Sequence, residues 1–355
     1  MPDNLYVHFP FCRTKCSYCA LYSRVGVAQS DRDAYVRRLA REIERTGDER
    51  RETLSTVYFG GGSPALCDLS VLAPVLRPFC GEDTEFTVEL HPLDVTEAKL
   101  QELKDLGVNR ISMGVQSLDD AVLADMGRGY TVDEAERAFA RVKTFFDNAG
   151  IDLIVGYPGD EVKVVGVGER WNFKRLESWG LKQCSVYSLQ NERGLKNVPD
   201  DDIVLDRIRH FAKCLEAMGL ERYEISNYAV PGYECRHNFA VWRGEDYLGL
   251  GEGAFGRVGL RRISNFKSQI SVSGVSAESV SEVTPEEDLK ERTIFRLRTR
   301  EGLDASSFST LPTFPSLVAV LDRYVKEGLL TKSGLVYFLT DRGTEVCDSI
   351  LTDLV

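Results

Sequence analysis

"FPFCRTKCSYCALY", residues 9–22, carries Cys12, Cys16 and Cys19, separated by three residues and then by two. Directly ahead of it "NLYVHF" (4–9) is a short apolar and aromatic run of the kind that forms a buried strand. A strand that delivers three thiols into one tight loop points to a metal, and two metals are open. Zinc in a closed site takes four ligands, commonly as two Cys pairs. No second pair stands nearby, though His8 would complete a Cys3His set. A four-iron cubane held by three thiolates keeps one iron open for a further ligand, and a short loop can wrap three corners.

Five more strand patterns follow: "TVYFGGG" (56–62), "EFTVEL" (85–90), "RISMGV" (110–115), "IDLIVGYPG" (151–159) and "QCSVYSL" (183–189). Helical patterns at 31–46, 68–79, 96–106, 132–149 and 169–179 alternate with them, the last three stopped by Gly107, Gly150 and Gly180. Strand and helix in alternation, joined by right-handed crossovers, build a parallel sheet, and six such units predict an open or partial barrel. Residues 160–168, "DEVKVVGVG", are a poor helix. A helix at 201–218 leads into a Gly- and aromatic-rich stretch ending near 266. Residues 267–284 read as a connector or edge strand. Helices at 286–299, 314–327 and 341–354, with a hairpin half "GLVYFLT", make a small winged-helix-like α/β unit. The expected division is therefore 1–200, 201–266 and 267–355.

With 43% hydrophobic residues in 355, the chain has ample material for a core. Its net charge of −11 offers no diffuse basic surface, which argues against a nucleic-acid partner. No run approaches the roughly twenty apolar residues of a transmembrane segment, and the start lacks an export signal, so a cytoplasmic location is expected. Reducing conditions there make the nine cysteines metal ligands or packing groups and not a disulfide framework.

In a parallel βα array, polar residues just past the strands' carboxyl ends converge on one face. Here these are Gly60, Gly61, Gly62 and Ser63 after the second strand, Glu89 at the third, Gln116 and Arg128 after the fourth, and Asp152 on the fifth. Glycines let backbone N–H groups come close to a ligand; the acids suit an ammonium group and ribose hydroxyls; Arg128 suits a carboxylate.

The spacing C-x3-C-x2-C after a strand resembles the radical S-adenosylmethionine (SAM) superfamily. "YVHFPFCRTKCSYC", "YFGGGSPALC", "VELHP", "GVNRISMGVQSLDDAVLADMGRGYT", "DLIVGYPG" and "YEISNYAVPGYECRHNFAVWRGEDYLGLGEGAF" are similar to successive blocks of the family containing oxygen-independent coproporphyrinogen III oxidase and the haem chaperone HemW. That resemblance implies a partial (β/α)6 barrel like an incomplete TIM barrel, and a [4Fe-4S] cluster on Cys12, Cys16 and Cys19. It also implies SAM on the open iron, where an electron from the cluster yields a 5′-deoxyadenosyl radical. By resemblance Tyr6, Gly61 and Glu89 contact the cluster-bound SAM. Tyr18, Gly62, Ser63, Gln116, Arg128 and Asp152 line the same pocket or a neighbouring one, which in the oxidases holds a second SAM.

Two features separate the branches. The oxidases have a fourth cysteine two residues after the third, where this chain has Leu21, and a substantial arm before the cluster, where this chain has five residues before Tyr6. The chaperone branch has a His-Asn-x-x-Tyr-Trp element linked to haem. Here His237, Asn238, Phe239, Ala240, Val241 and Trp242 stand in its place, with Val for Tyr. Imidazole is a common axial ligand and Trp an apolar wall, while Arg236 would pair with a propionate. A histidine among aromatic residues is more often a hydrogen-bonded core group, and the residues alone favour that role; it is the resemblance that implies a haem ligand. Other departures are Ser63 for the usual Thr, His91 for Asn, and "NERGLK" for Glu-Pro-Gly-Thr. The resemblance thus implies a haem carrier that delivers to an acceptor protein, with an electron donor if SAM is cleaved. The alternative is a radical oxidoreductase acting on a porphyrinogen.

Overall fold

Alternate residues of the predicted strands are large and apolar, so one face of the sheet must be covered by helices while the other stays polar. A computed structural model, which describes residues 2–47, 53–160, 173–267 and 277–354, shows this division. Strands β1 (Asn4–Phe9), β2 (Thr56–Gly61), β3 (Glu85–Leu90), β4 (Arg110–Gln116), β5 (Asn148–Val155) and β6 (Gln183–Ser188) lie side by side in that order, all parallel. Val7, Phe59, Val88, Met113 and Leu153 from their outer face share one core with Leu39, Leu103, Phe139 and Phe211. Those four come from helices α1 (Gln29–Gly47), α2 (Glu97–Leu106), α3 (Val132–Phe145) and α4 (Asp201–Ala217). The inner face carries Tyr6, His8, Tyr58, Glu89, Ser112 and Asp152, the concave lining of a partial barrel.

The sheet extends past both edges of the barrel to twelve strands. On one side β7 (Glu221–Arg222) and β8 (Asn227–Ala229) continue from β6 in antiparallel order. On the other, after helix α5 (Arg236–Trp242), β9 (Tyr247–Leu250) joins β1 in parallel. It is followed by antiparallel β10 (Phe255–Val258), β11 (Arg261–Lys267) and β12 (Ala277–Glu282). A second apolar core, including Leu297, Leu321, Leu330, Tyr337 and Ile350, belongs to the C-terminal unit. That unit is built from α6 (Pro285–Leu297), β13 (Leu303–Asp304), α7 (Phe314–Lys326), β14 (Leu330–Ser333), β15 (Val336–Leu339) and α8 (Cys347–Leu354). No helix among the described residues is long and apolar enough to cross a membrane.

Several local expectations are corrected. The helix read over 132–149 ends at Phe145, and Asn148, Ala149 and Gly150 already belong to β5. Gly150 is no helix stop: a Cβ there would lie 2.7 Å from the Gln183 carbonyl oxygen, so glycine is what lets β6 lie against β5. The helix read over 68–79 breaks into three short turns because Pro74 and Pro78 withhold N–H donors. The closing helix read over 341–354 is two pieces, Asp341–Glu345 and Cys347–Leu354. Of the doubtful segment 160–168, all but Asp160 lies outside the described residues.

Candidate cluster and cofactor site

The cysteine loop leaves β1 at the carboxyl end of the barrel. Its start, Phe11–Cys12, pairs with Arg24–Val25 in a short parallel ladder, so the loop is pinched at its base. Within it the Cys19 amide donates to the Cys16 carbonyl at 3.2 Å, and the Ser17 amide donates to the Met126 carbonyl at 3.2 Å. Those bonds seat the loop on the connection after β4. Cys16 is buried, while Cys12 and Cys19 are half-buried. The Arg128 guanidinium lies 3.3 Å from the Cys16 sulfur and 3.5 Å from the Tyr18 hydroxyl, bringing three of the expected residues together. Burial pushes the Cys12 thiol up, a hydrogen bond to Ser23 opposes this, and the nearby Cys19 and Cys16 raise it further.

The zinc alternative fits poorly. His8 is engaged at both nitrogens, with the Tyr6 hydroxyl at 3.0 Å and the Tyr22 carbonyl at 2.9 Å. Three thiols on one loop are the number a cluster with one open iron takes.

Beneath the loop, register aligns His8, Gly60, Glu89 and Ser112 across four strands, with Gly114, Asp152 and Ser185 in a neighbouring row. Glu89 accepts from the Tyr58 hydroxyl at 2.9 Å and from the Gly61 amide at 3.0 Å. Loss of water, with Asp152 second, nevertheless raises its carboxyl to about 7, since those two bonds only partly offset the burial. Asp152 is raised too, chiefly by burial, against hydrogen bonds from Ser185 and Ser112, the latter at 3.0 Å. Both acids lie on the inner face of the barrel, two strands apart.

The glycine triplet works differently from the expectation. Its N–H groups are taken within the chain: Gly61 by Glu89, Gly62 by the Phe9 carbonyl at 2.8 Å, and the following Ser63 amide by the Phe11 carbonyl at 2.6 Å. What the glycines provide is room. A Cβ would lie 2.8 Å from the Glu89 carboxylate at Gly60, 2.3 Å from the His8 ring at Gly61, and 2.4 Å from the Phe11 carbonyl at Gly62. Gln116 sits at a register shift in β4 with φ +73, which folds its side chain back over Gly114 toward Arg128.

Asp94 escaped the sequence reading. It is 5% exposed, accepts from the Ser63 hydroxyl, and pairs with Arg13 at 2.5 Å, tying the strand-end pocket to the residue after Cys12. Its one sequence signal is its place just beyond β3, among the other strand-end polar groups.

Trp242 does not join this site, whereas His237 reaches it from the amino ends of the strands, its ring 6.3 Å from the Tyr6 ring; the two residues do not meet. The α5 helix lies across the amino ends of the strands, where Glu85, near the start of β3, accepts the amides of Arg236 at 2.9 Å and His237 at 3.0 Å. The His237 ring enters the barrel from below, bonds Thr56 at 2.8 Å and packs 5.1 Å from the Tyr58 ring. It is 4% exposed, and burial lowers its pKa to about 3, keeping it neutral. Trp242 faces away, against Phe295 at 5.8 Å and under the Arg298 guanidinium at 5.0 Å. Five positions on a helix separate side chains by about 140°, so the pair forms no common wall for a macrocycle.

The barrel and its loop agree with independent similarities. The Radical SAM superfamily pattern matches residues 6–164 and the HemN C-terminal domain pattern residues 283–346. Heme chaperone HemW of Bacillus subtilis is 30% identical over 96% of this chain and 96% of its own length. Mouse "radical S-adenosyl methionine domain-containing protein 1, mitochondrial" is 32% identical over 84% of this chain and 68% of its own. Coproporphyrinogen III oxidase (HemN) from Escherichia coli superposes with a TM-score of 0.83 at 22% identity, covering 99% of this chain and 89% of that one, which speaks for the fold. With three cysteines on a loop above an acid-lined partial barrel, and a relative matched almost end to end, this chain belongs to the family of radical SAM proteins that includes the haem chaperone HemW.

Proposed function

We propose that this protein is a haem carrier on a radical SAM scaffold, which binds haem and hands it to an acceptor protein. The observation that carries this is the similarity to HemW along 96% of both chains. Leu21 supports it: this residue, 55% exposed beside the cysteine loop, stands where the oxidases have their fourth cysteine. Cys12, Cys16 and Cys19 would hold a [4Fe-4S] cluster, whose open iron and SAM supply one-electron chemistry when bound. Within the chain, Glu89 and Asp152 receive a cationic amine, Arg128 steadies the Cys16 thiolate or a carboxylate, and Tyr6 and Tyr18 wall the pocket. A cytoplasmic setting, an acceptor protein and an electron donor complete the proposal. Haem coordination by His237 would require α5 to leave the barrel end, releasing two amides from Glu85 and the imidazole from Thr56.

A haem titration of the wild type and His237→Ala tests both parts. Saturable binding with a Soret shift supports the carrier, and its absence refutes it. Unchanged affinity and spectrum in the variant remove His237 from the ligands. The shared fold with coproporphyrinogen III oxidase favours a second reading, a radical oxidoreductase on a porphyrinogen. Production of 5′-deoxyadenosine only when a porphyrinogen is added would select it.

A further inference from the structure

We propose that Glu252 is a positioning residue for the cysteine loop, clamping the loop's trailing end so that the three thiols are held at the barrel mouth before any cluster is built. The role in cluster assembly rests on reading Cys12, Cys16 and Cys19 as cluster ligands. Glu252 follows β9, and because β9 runs parallel to β1 it emerges at the same end of the barrel as the loop. It is 5% exposed. One carboxylate oxygen accepts from Arg38 at 3.0 Å; the other accepts from the Tyr22 hydroxyl at 3.4 Å and lies 3.6 Å from the Arg24 guanidinium. Tyr22 and Arg24 are where the loop returns to its basal ladder with Phe11–Cys12.

The backbone around Glu252 is shaped for the same contact. Its amide donates to the Tyr35 hydroxyl at 2.9 Å, which donates in turn to the His8 carbonyl at 2.7 Å. Gly251 and Gly253 flank it with φ of +88 and +90. A Cβ on Gly251 would lie 2.4 Å from the Tyr35 hydroxyl, and one on Gly253 would lie 2.9 Å from the Tyr22 ring. Only glycine lets this segment press so close in that conformation. At the loop's leading end Asp94 grips Arg13, so a buried carboxylate holds each end, one from just beyond β3 and one from just beyond β9. The β9–β1 ladder already joins β9 to the barrel, so a desolvated charge is not needed for that purpose, and it is stabilised only where its partners are fixed.

The test uses the full chain as wild type, Glu252→Gln and Arg24→Gln, the last removing the exposed partner without touching β9. In cluster-free protein, trypsin cleavage after Arg13 and Lys15 is expected to be about tenfold faster in Glu252→Gln, which weakens charge-assisted bonds, and about twofold faster in Arg24→Gln, which removes a half-exposed ion pair at 3.6 Å. Cleavage elsewhere and Tm should change little in Arg24→Gln. After anaerobic loading with ferrous iron and sulfide, both variants should lose iron to a chelator faster, about tenfold in Glu252→Gln and about twofold in Arg24→Gln, and the reduced cluster should give a mixed paramagnetic resonance spectrum. Wild-type loop cleavage and iron release in Arg24→Gln would overturn the proposal, as would a Glu252→Gln variant whose cleavage rises equally at every site. If Glu252→Gln does not fold, Arg24→Gln decides alone. If no form takes up iron, the cluster reading falls while the cleavage arm still decides the clamp.

Discussion

If Glu89 receives the SAM amine as proposed, SAM binding should depend on pH in a direction set by its burial. Its carboxyl rises from an ordinary 4.5 to about 7 in the fold, first through burial and then through Asp152, with Tyr58 and Gly61 opposing. That rise corresponds to about 3 kcal/mol of preference for the protonated form. Because the folded value is raised, this contribution to stability is complete below about pH 4.5 and is lost as pH rises through about 7. A bound ammonium group reverses the balance by favouring the carboxylate. Affinity for SAM should therefore fall about tenfold from pH 7.5 to pH 6, as binding expels the proton from Glu89. Glu89→Gln should flatten that profile and weaken binding by roughly tenfold to a hundredfold, the worth of a charge-assisted hydrogen bond. The same variant should raise the Tm of the cluster-free protein at pH 8 and leave it nearly unchanged at pH 5. Anaerobic equilibrium dialysis of reconstituted protein measures the first pair, and scanning calorimetry the second. A flat wild-type profile between pH 6 and 7.5, or the wild-type slope persisting in Glu89→Gln, would refute the assignment of Glu89 as the amine's receptor.

Cys16→Ala should abolish iron retention after reconstitution while far-ultraviolet circular dichroism stays at the wild-type level, since the loop contributes no core strand; retained iron would contradict the three-thiolate site. Gly61→Ala places a methyl 2.3 Å from the His8 ring at φ +102, and should destabilise the fold by about 2–4 kcal/mol. Chemical denaturation measures that loss, and a change below 1 kcal/mol would show that His8 yields easily.

The barrel was legible because its signals are local: each strand is a short apolar run, each helix an amphipathic one, and the cysteines sit within eight residues. What stayed illegible depends on contacts between distant segments. Strand β9 pairs with β1 across some 240 residues, yet "YLGLGEGAFG" reads as a glycine-rich loop. The reason is steric: a Cβ on Gly249 would lie 1.9 Å from the Phe255 carbonyl oxygen, so the side chain that would mark a strand has no room to exist. The same blindness hid Asp94 and Glu252, whose meaning lies in Arg13, Ser63, Tyr22 and Arg24.

His237 shows the converse, a motif legible in sequence whose spacing misleads. His237 and Trp242 are adjacent on paper but diverge around α5, one into the barrel and the other onto the C-terminal unit. Thr56 and Glu85 hold the first arrangement from the barrel side, and Arg298 covers Trp242 from the other. A haem ligated by His237 would have to displace an imidazole that sits in the same barrel as Glu89, with Tyr58 in contact with both. Any such displacement would loosen the ring that donates to Glu89, so coordination from below would be felt in the affinity for SAM above. If His237 is the ligand, the Glu89 pH profile should move when haem is added, and a profile indifferent to haem would place the macrocycle elsewhere on the protein.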